Sequence, residues 1–347
     1  MTTAPTAPAP APERPPTAPA RRDLRWQALQ RTNKSTLLML VVTLVVCVAF
    51  SVATPTFLTV GNLTNVAVQV APAVVVAVAV TFVITAGMID LSVGSILALV
   101  AVVGASLLEL GLQSMLVVAI CLAVGALCGL VNGWFSAYQG IPSFIVTLAT
   151  MSIVRGIALL ITKGYSVSID SSLIFARIGQ GTLLGLGYPA WLALVAVVLG
   201  ILGLQRMRFG QYVTGIGSNE ESVRRAGVNT RFVKMMALTL SGFAAGVAGI
   251  ITAARLGSGD ANSGVDFAMT AITAVVLGGT SLLGGKGSVV GTFVGAILTG
   301  VISNGLTLLG LSPYIVPIIT GSLLILVIWI NLRGGSLTDL VRRVVTR

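Results

Sequence analysis

The chain has 347 residues, of which 55% are hydrophobic and only 9% charged, and its mean hydropathy is +1.00. Too few polar residues are present to cover a water-soluble surface, whereas lipid accepts Leu, Val and Ala on every face of a helix; the composition excludes a soluble domain and predicts an all-α, polytopic membrane protein. The formal net charge of +11 does not point to nucleic acid, because the basic residues gather at segment ends instead of forming a basic face interleaved with aromatics.

Residues 1–20 are almost entirely Thr, Ala and Pro, and Arg21, Arg22, Arg25, Arg31 and Lys34 follow, so 1–35 is expected to be a disordered cytosolic tail. A long Pro-rich lead before a full-length apolar run is not the layout of a cleaved signal peptide. Apolar runs of spanning length fall near 36–53, 64–86, 92–110, 113–137, 142–162, 187–204, 233–254, 268–283, 288–307 and 313–331, which makes about ten transmembrane helices. An even number returns the basic tail 332–347 to the side of the N-terminus. With that topology the inner side carries 17 basic residues and the outer loops three, Lys163, Arg177 and Arg255, as the positive-inside rule requires. The outer loops are 163–188 and 255–266, too small to capture a solute unaided.

Two glycine-rich breaks interrupt the apolar sequence, Thr85-Ala-Gly-Met-Ile-Asp-Leu-Ser-Val-Gly94 and Leu277-Gly-Gly-Thr-Ser-Leu-Leu-Gly-Gly-Lys-Gly-Ser288. Ile84-Thr-Ala-Gly resembles Val276-Leu-Gly-Gly, a sign of an internal repeat between the two halves. Glycines such as Gly125, Gly129, Gly242, Gly246 and Gly249 suit close helix contacts in lipid.

The longest charged island, 206–234, is organised around a short helix. Ser218 with Glu221 three residues on has the capping-box pattern; Glu220 and Glu221 stand in the first turn and Arg224 and Arg225 in the last, spaced i,i+4, and Gly227 follows as a stop. About two turns are marginal alone in water, so this helix is expected to be held against a partner protein.

Asp90 is the one acid in a break, where it either caps or hinges the helix beginning near Val93, together with Ser92, or contacts a substrate or ion. Arg155 lies inside the fifth span and has three roles open to it: lining a path, pairing with a carboxylate, or snorkelling. Asn132, Ser143, Thr147, Thr150, Ser303 and Asn304 either tie neighbouring helices or meet an uncharged, hydroxyl-rich substrate. The chain has no histidine, its three cysteines all lie in apolar runs, and it carries no Gly-x-x-x-x-Gly-Lys-Ser/Thr motif. A metal site, a Ser-His-Asp triad and a nucleotide site of its own are therefore not expected, and neither is enzymatic activity.

Ala86-Gly-Met-Ile-Asp-Leu-Ser-Val-Gly-Ser95, Val131-Asn-Gly, Ile141-Pro-Ser-Phe-Ile-Val-Thr-Leu-Ala-Thr-Met-Ser-Ile-Val-Arg-Gly156, Gly210-Gln-Tyr-Val-Thr-Gly-Ile-Gly-Ser-Asn-Glu-Glu221, Ala226-Gly-Val-Asn229 and Val276-Leu-Gly-Gly-Thr-Ser-Leu-Leu-Gly-Gly-Lys-Gly-Ser288 together resemble the permease subunits of ribose-type bacterial ABC importers. The resemblance covers 36–331 and implies a permease domain that carries a monosaccharide or related polar solute inward across the bacterial plasma membrane by alternating access. It implies a cytosolic ABC ATPase that holds ATP and Mg, an extracytoplasmic solute-binding protein, a second permease copy and no cofactor on this chain. It also makes 217–227 the coupling helix, with Gly217, Ser218, Asn219, Glu220, Glu221, Arg224, Arg225, Ala226 and Gly227 facing the ATPase, and leaves Asp90, Ser92, Asn132, Arg155, Ser303 and Asn304 for the path. A stand-alone secondary transporter with Asp90 as its ion or proton site, and a channel, are the alternatives.

Overall fold

The computed structural model describes residues 21–312 and, beyond them, 314–319, 321, 322 and 325. In chain order the helices are α1 (Arg21–Ala53), α2 (Val60–Thr85), α3 (Val93–Glu109), α4 (Ser114–Ala137), α5 (Ser143–Thr162), α6 (Ile174–Gln180), α7 (Tyr188–Gln205), α8 (Arg208–Arg225), α9 (Thr230–Leu256), α10 (Phe267–Leu277) and α11 (Val289–Leu308). Four two-residue strands lie in the loops: β1 (Val167–Ser168), β2 (Thr182–Leu183), β3 (Leu186–Gly187) and β4 (Ser258–Gly259). β1 pairs antiparallel with β4, Val167 opposite Gly259, so the two loops expected on the outer side are laced together. β2 and β3 form a small hairpin before α7.

Among the described residues six helices, α2, α4, α5, α7, α9 and α11, are long and apolar enough to cross a membrane, and Met39–Ala53, α3 and α10 are shorter apolar helices. The chain is a multi-pass helical membrane protein. Most of the tenth candidate span, 313–331, lies outside the described residues, as do residues 1–20 and the tail 332–347. α1 starts at Arg21, so 21–35 belongs to a helix and not to a disordered tail. Its Arg, Leu, Gln and Ala residues are strong helix formers and outweigh its polarity. The eighth candidate span shortens to α10, whose helix stops at the second glycine break.

The centre of the bundle is α2, α3 and α9. α2 is buried on all sides from Val74 to Thr85, which its nearly unbroken Val and Ala sequence permits, since a helix apolar all round belongs inside. α4 lies directly on α9 because glycine faces glycine. A methyl at Gly125 would sit 2.6 Å from the Gly242 carbonyl oxygen and 2.9 Å from the Gly246 Cα, so no larger residue fits that crossing. α4, α5 and α7 turn Leu127, Leu130, Phe135, Ile153, Leu160, Val195 and Leu199 outward, an apolar exterior suited to lipid.

Candidate functional site

Both glycine breaks begin with the same turn. α2 ends on Ala86, Gly87 takes φ +77°, and the Gly87 and Met88 N–H groups donate to the Ile84 and Val83 carbonyls. α10 ends on Gly278, Gly279 takes φ +86°, and the Gly279 and Thr280 N–H groups donate to the Val276 and Val275 carbonyls. These are matching Schellman ends, each needing a left-handed residue that glycine supplies without strain. The similarity between Ile84-Thr-Ala-Gly and Val276-Leu-Gly-Gly is thus one of backbone conformation.

After its turn the first break is pinned to α4 and α5. The Ile89 N–H donates to Ser143 Oγ at 3.0 Å and the Leu91 N–H to Thr147 Oγ1 at 3.2 Å. Asp90 Oδ1 accepts from the Ser92 N–H at 2.9 Å and from Ser92 Oγ at 2.6 Å. Asn132 Nδ2 in turn donates to Ser92 Oγ at 2.8 Å, and Thr150 Oγ1 donates to Asn132 Oδ1 at 2.6 Å. The result is a polar chain, Asp90 to Ser92 to Asn132 to Thr150, whose first three members are fully buried. Neither Asp90 nor Ser92 caps α3 with its side chain: Ser92 holds the N-cap position without a capping bond, and Asp90 folds the break onto itself. Asp90 Oδ2 and Ser241 Oγ are buried and have no hydrogen-bond partner among the described residues.

α8 is bent at Asn219, which leaves helical geometry at φ −162°, ψ 95°. Asn219 Oδ1 accepts from the Ser222 N–H at 3.0 Å and is the true N-cap of the short helix; Ser218, expected in that role, still belongs to the preceding turn and donates its hydroxyl to the Thr214 carbonyl at 3.0 Å. Sequence spacing alone does not separate the two, because either side chain can cap. Glu221 binds Arg224 and Arg225, while Glu220 reaches Lys234 on α9 at 3.1 Å and so ties the helix to the bundle. The two arginine pairs are largely exposed, so each contributes only about 0–1 kcal/mol, whereas Lys234 is partly buried. Ala226 closes the helix, and Gly227 at φ +85° ends it with a further Schellman turn from Val228 to Val223.

Where α8 bends, three segments meet backbone to backbone. The Gly285 N–H of the second break donates to the Thr85 carbonyl at the end of α2, at 2.9 Å. Gly217 packs against that same carbonyl and the Gly285 nitrogen, so closely that a methyl there has no room. A methyl at Gly284 would lie 3.0 Å from both the Gly217 Cα and the Gly87 Cα. The two breaks and the 217–227 segment therefore share one glycine junction.

Of the other expected path residues, Arg155 lines a small cavity with Leu91, Gly94 and Ser95 where the first break enters α3, and donates to Asn262 Oδ1 at 3.1 Å, whereas Asn304 and Ser303 stand apart. Asn304 exchanges two 2.9 Å hydrogen bonds with Asn62 and so ties α11 to α2. Ser303 lines a separate cavity with Arg255 and Gln69. Asn62, Gln69, Ser241 and Arg255 were missed as partners. An amide isolated in the apolar run of α2 is the signal that could have found Gln69, whereas Asn62 lies in the polar first turns of α2 and Ser241 is one of many small residues in its helix.

A buried bundle of spanning helices with paired helix breaks joined to an exposed charged helix defines a multi-pass membrane protein. Residues 62–328 match the family described as branched-chain amino acid transport system / permease component, and the chain belongs to that family. It is 37% identical over 260 residues to the ribose import permease protein of Haemophilus influenzae, covering 74% of this chain and 80% of that relative. It is 36% identical over 282 residues to the L-arabinose ABC transporter permease protein of Azospirillum brasilense, covering 81% of each. With the D-allose transport system permease protein of Escherichia coli the identity is 33% over 258 residues, 74% of this chain and 79% of that relative. No solved structure matches the chain at a significant level.

Proposed function

We propose that this chain is the transmembrane subunit of an ATP-driven importer that carries a monosaccharide or related small polar solute into the cytoplasm by alternating access. It works with a cytosolic ABC ATPase that binds ATP and Mg, an extracytoplasmic solute-binding protein and a second permease copy, in a bacterial plasma membrane. The names of the sugar permease relatives support the substrate class, and the 17-to-three distribution of basic residues supports a cytoplasmic α8. The observation that carries the mechanism is the junction of Gly217 with Thr85 and Gly285. A partner that holds 219–227 differently in its nucleotide-bound and empty states acts on both helix breaks through that junction, and differential contact is what an equilibrium shift requires. ATP hydrolysis belongs to the partner; this chain supplies the path and the lever.

The test is co-purification and transport. Detergent-solubilised wild-type complex should retain an ATPase, and the Glu221→Ala/Arg224→Ala double variant should lose it or hydrolyse ATP without uptake. Wild-type uptake in a well-expressed double variant sinks the coupling role. The unpartnered buried Asp90 Oδ2 favours a second reading, a secondary transporter with an ion or proton site there; it requires that the chain alone transports and that Asp90→Asn abolishes ion coupling.

A further inference from the structure

At the end of the bundle opposite α8, a cavity of about 250 Å³ opens between α2, α9, α10 and α11. Arg255, Gln69, Thr270, Thr299 and Ser303 supply its polar groups and Phe267 an aromatic face. Arg255 is near the end of α9, where its backbone is fixed from the other side: α6 packs on it through Gly179, and Gln180 Nε2 donates to the Ala254 carbonyl at 3.3 Å. Its side chain lines the cavity. There the guanidinium Nε is buried with no acceptor, and Arg255 has no salt bridge among the described residues. Buried polar groups are nearly always paired, so an orphan donor lining a cavity marks a place for an acceptor.

The remaining groups define that acceptor. Thr270 and Thr299 donate their hydroxyl protons to the Asp266 and Ala296 carbonyls, so they present lone pairs to the cavity. The side chains of Gln69 and Ser303 have no hydrogen bond among the described residues, and each can both donate and accept. A phosphate or carboxylate would use Arg255 but would face the threonine lone pairs; a polyol can accept from Arg255 and donate to the threonines at once. The volume lies below the roughly 300–1,000 Å³ of drug-sized sites, which fits one sugar ring and not two. The apolar C–H face of such a ring packs on Phe267.

We infer that the Arg255 cavity is the outer solute site of the permease, holding one monosaccharide through Arg255, Gln69 and Ser303 as it leaves the binding protein. This rests on the proposed importer function and orientation. It locates the solute before it passes the glycine junction at the other end of the bundle.

The test uses the full complex, with its ATPase and binding protein, in proteoliposomes. Uptake of labelled D-ribose, L-arabinose and D-allose is divided by the amount of assembled complex. For whichever sugar is carried, Arg255→Gln should lower the maximal rate by about tenfold or more, the loss expected for a charge-assisted bond. The half-saturating concentration should stay where the binding protein sets it. In a second variant, Ser303→Cys, a membrane-impermeant thiosulfonate should block uptake, and the carried sugar should slow that modification several-fold. Wild-type uptake by Arg255→Gln, or thiosulfonate modification of the Ser303→Cys variant unaffected by sugar, overturns the site while leaving the importer function intact. If wild-type complex moves none of the three sugars, the sugar reading fails and this ligand class with it. If protection of the introduced thiol instead follows phosphatidylglycerol added to the vesicles in the absence of sugar, the cavity holds a lipid headgroup and the proposal is wrong.

Discussion

Gly217→Ala separates the junction's role from ordinary helix chemistry, because the two give opposite signs. Gly217 has helical backbone geometry, so propensity alone predicts that alanine stabilises α8 by about 1 kcal/mol. The contact predicts the reverse. The new methyl would fall inside the envelope of the Thr85 oxygen and the Gly285 nitrogen and 3.0 Å from the Thr85 carbonyl carbon, against 3.4 Å for ordinary contact. All three atoms are backbone, so no side chain can rotate aside and the segments must part. Overpacking costs about 1–3 kcal/mol and the stretched Gly285 to Thr85 hydrogen bond about another 1 kcal/mol. After subtracting the helix gain, the closed junction loses about 1–3 kcal/mol, a five- to 150-fold fall in its equilibrium constant at about 1.4 kcal/mol per tenfold. Solute uptake per assembled complex should fall, by at most that factor, with a lower melting temperature for the solubilised protein. A Gly217→Ala protein that melts higher than wild type and transports normally would falsify the junction as the route of coupling.

The Asn62 and Asn304 pair allows a double-mutant cycle. Either single change to Leu strands the other amide and should cost about 1–3 kcal/mol, whereas the double Leu variant should recover much of that loss; additive costs in thermal unfolding would refute a direct pair. Asn132→Leu removes the partner of both Ser92 and Thr150 and should destabilise the protein by about 2–4 kcal/mol, seen as earlier proteolysis or hydrogen exchange in 88–95. In the loop before α6, the Ser172 N–H at 2.8 Å holds the exposed Asp170 carboxyl below its ordinary value. Because the folded pKa is depressed, its contribution is present above the usual carboxylate range and fades as pH falls through the folded value. The melting-temperature difference between wild type and Asp170→Asn should therefore be small and constant between pH 6 and pH 9 and should shrink as pH falls through the carboxylate range, and a difference that grows toward pH 9 would contradict this assignment.

Composition determined the membrane class by itself, because a chain this poor in polar residues has no other way to hide its backbone and its apolar surface. Glycine content located the helix breaks for an equally local reason: the Schellman turns at Gly87, Gly227 and Gly279 need a left-handed residue at a fixed offset from the helix end. Local chemistry did not choose between Ser218 and Asn219 as cap, since the bend that excludes Ser218 comes from the packing of Gly217 on Thr85 and Gly285. Nor could it show that 85–88 and 284–287 meet, or that Asn304 commits its amide to Asn62 while neighbouring Ser303 faces a cavity. Those depend on helix rotation, which in a uniformly apolar sequence leaves little periodic trace. The polar contacts that tie these helices join side chains as far as 242 positions apart, and only the packed bundle brings them together.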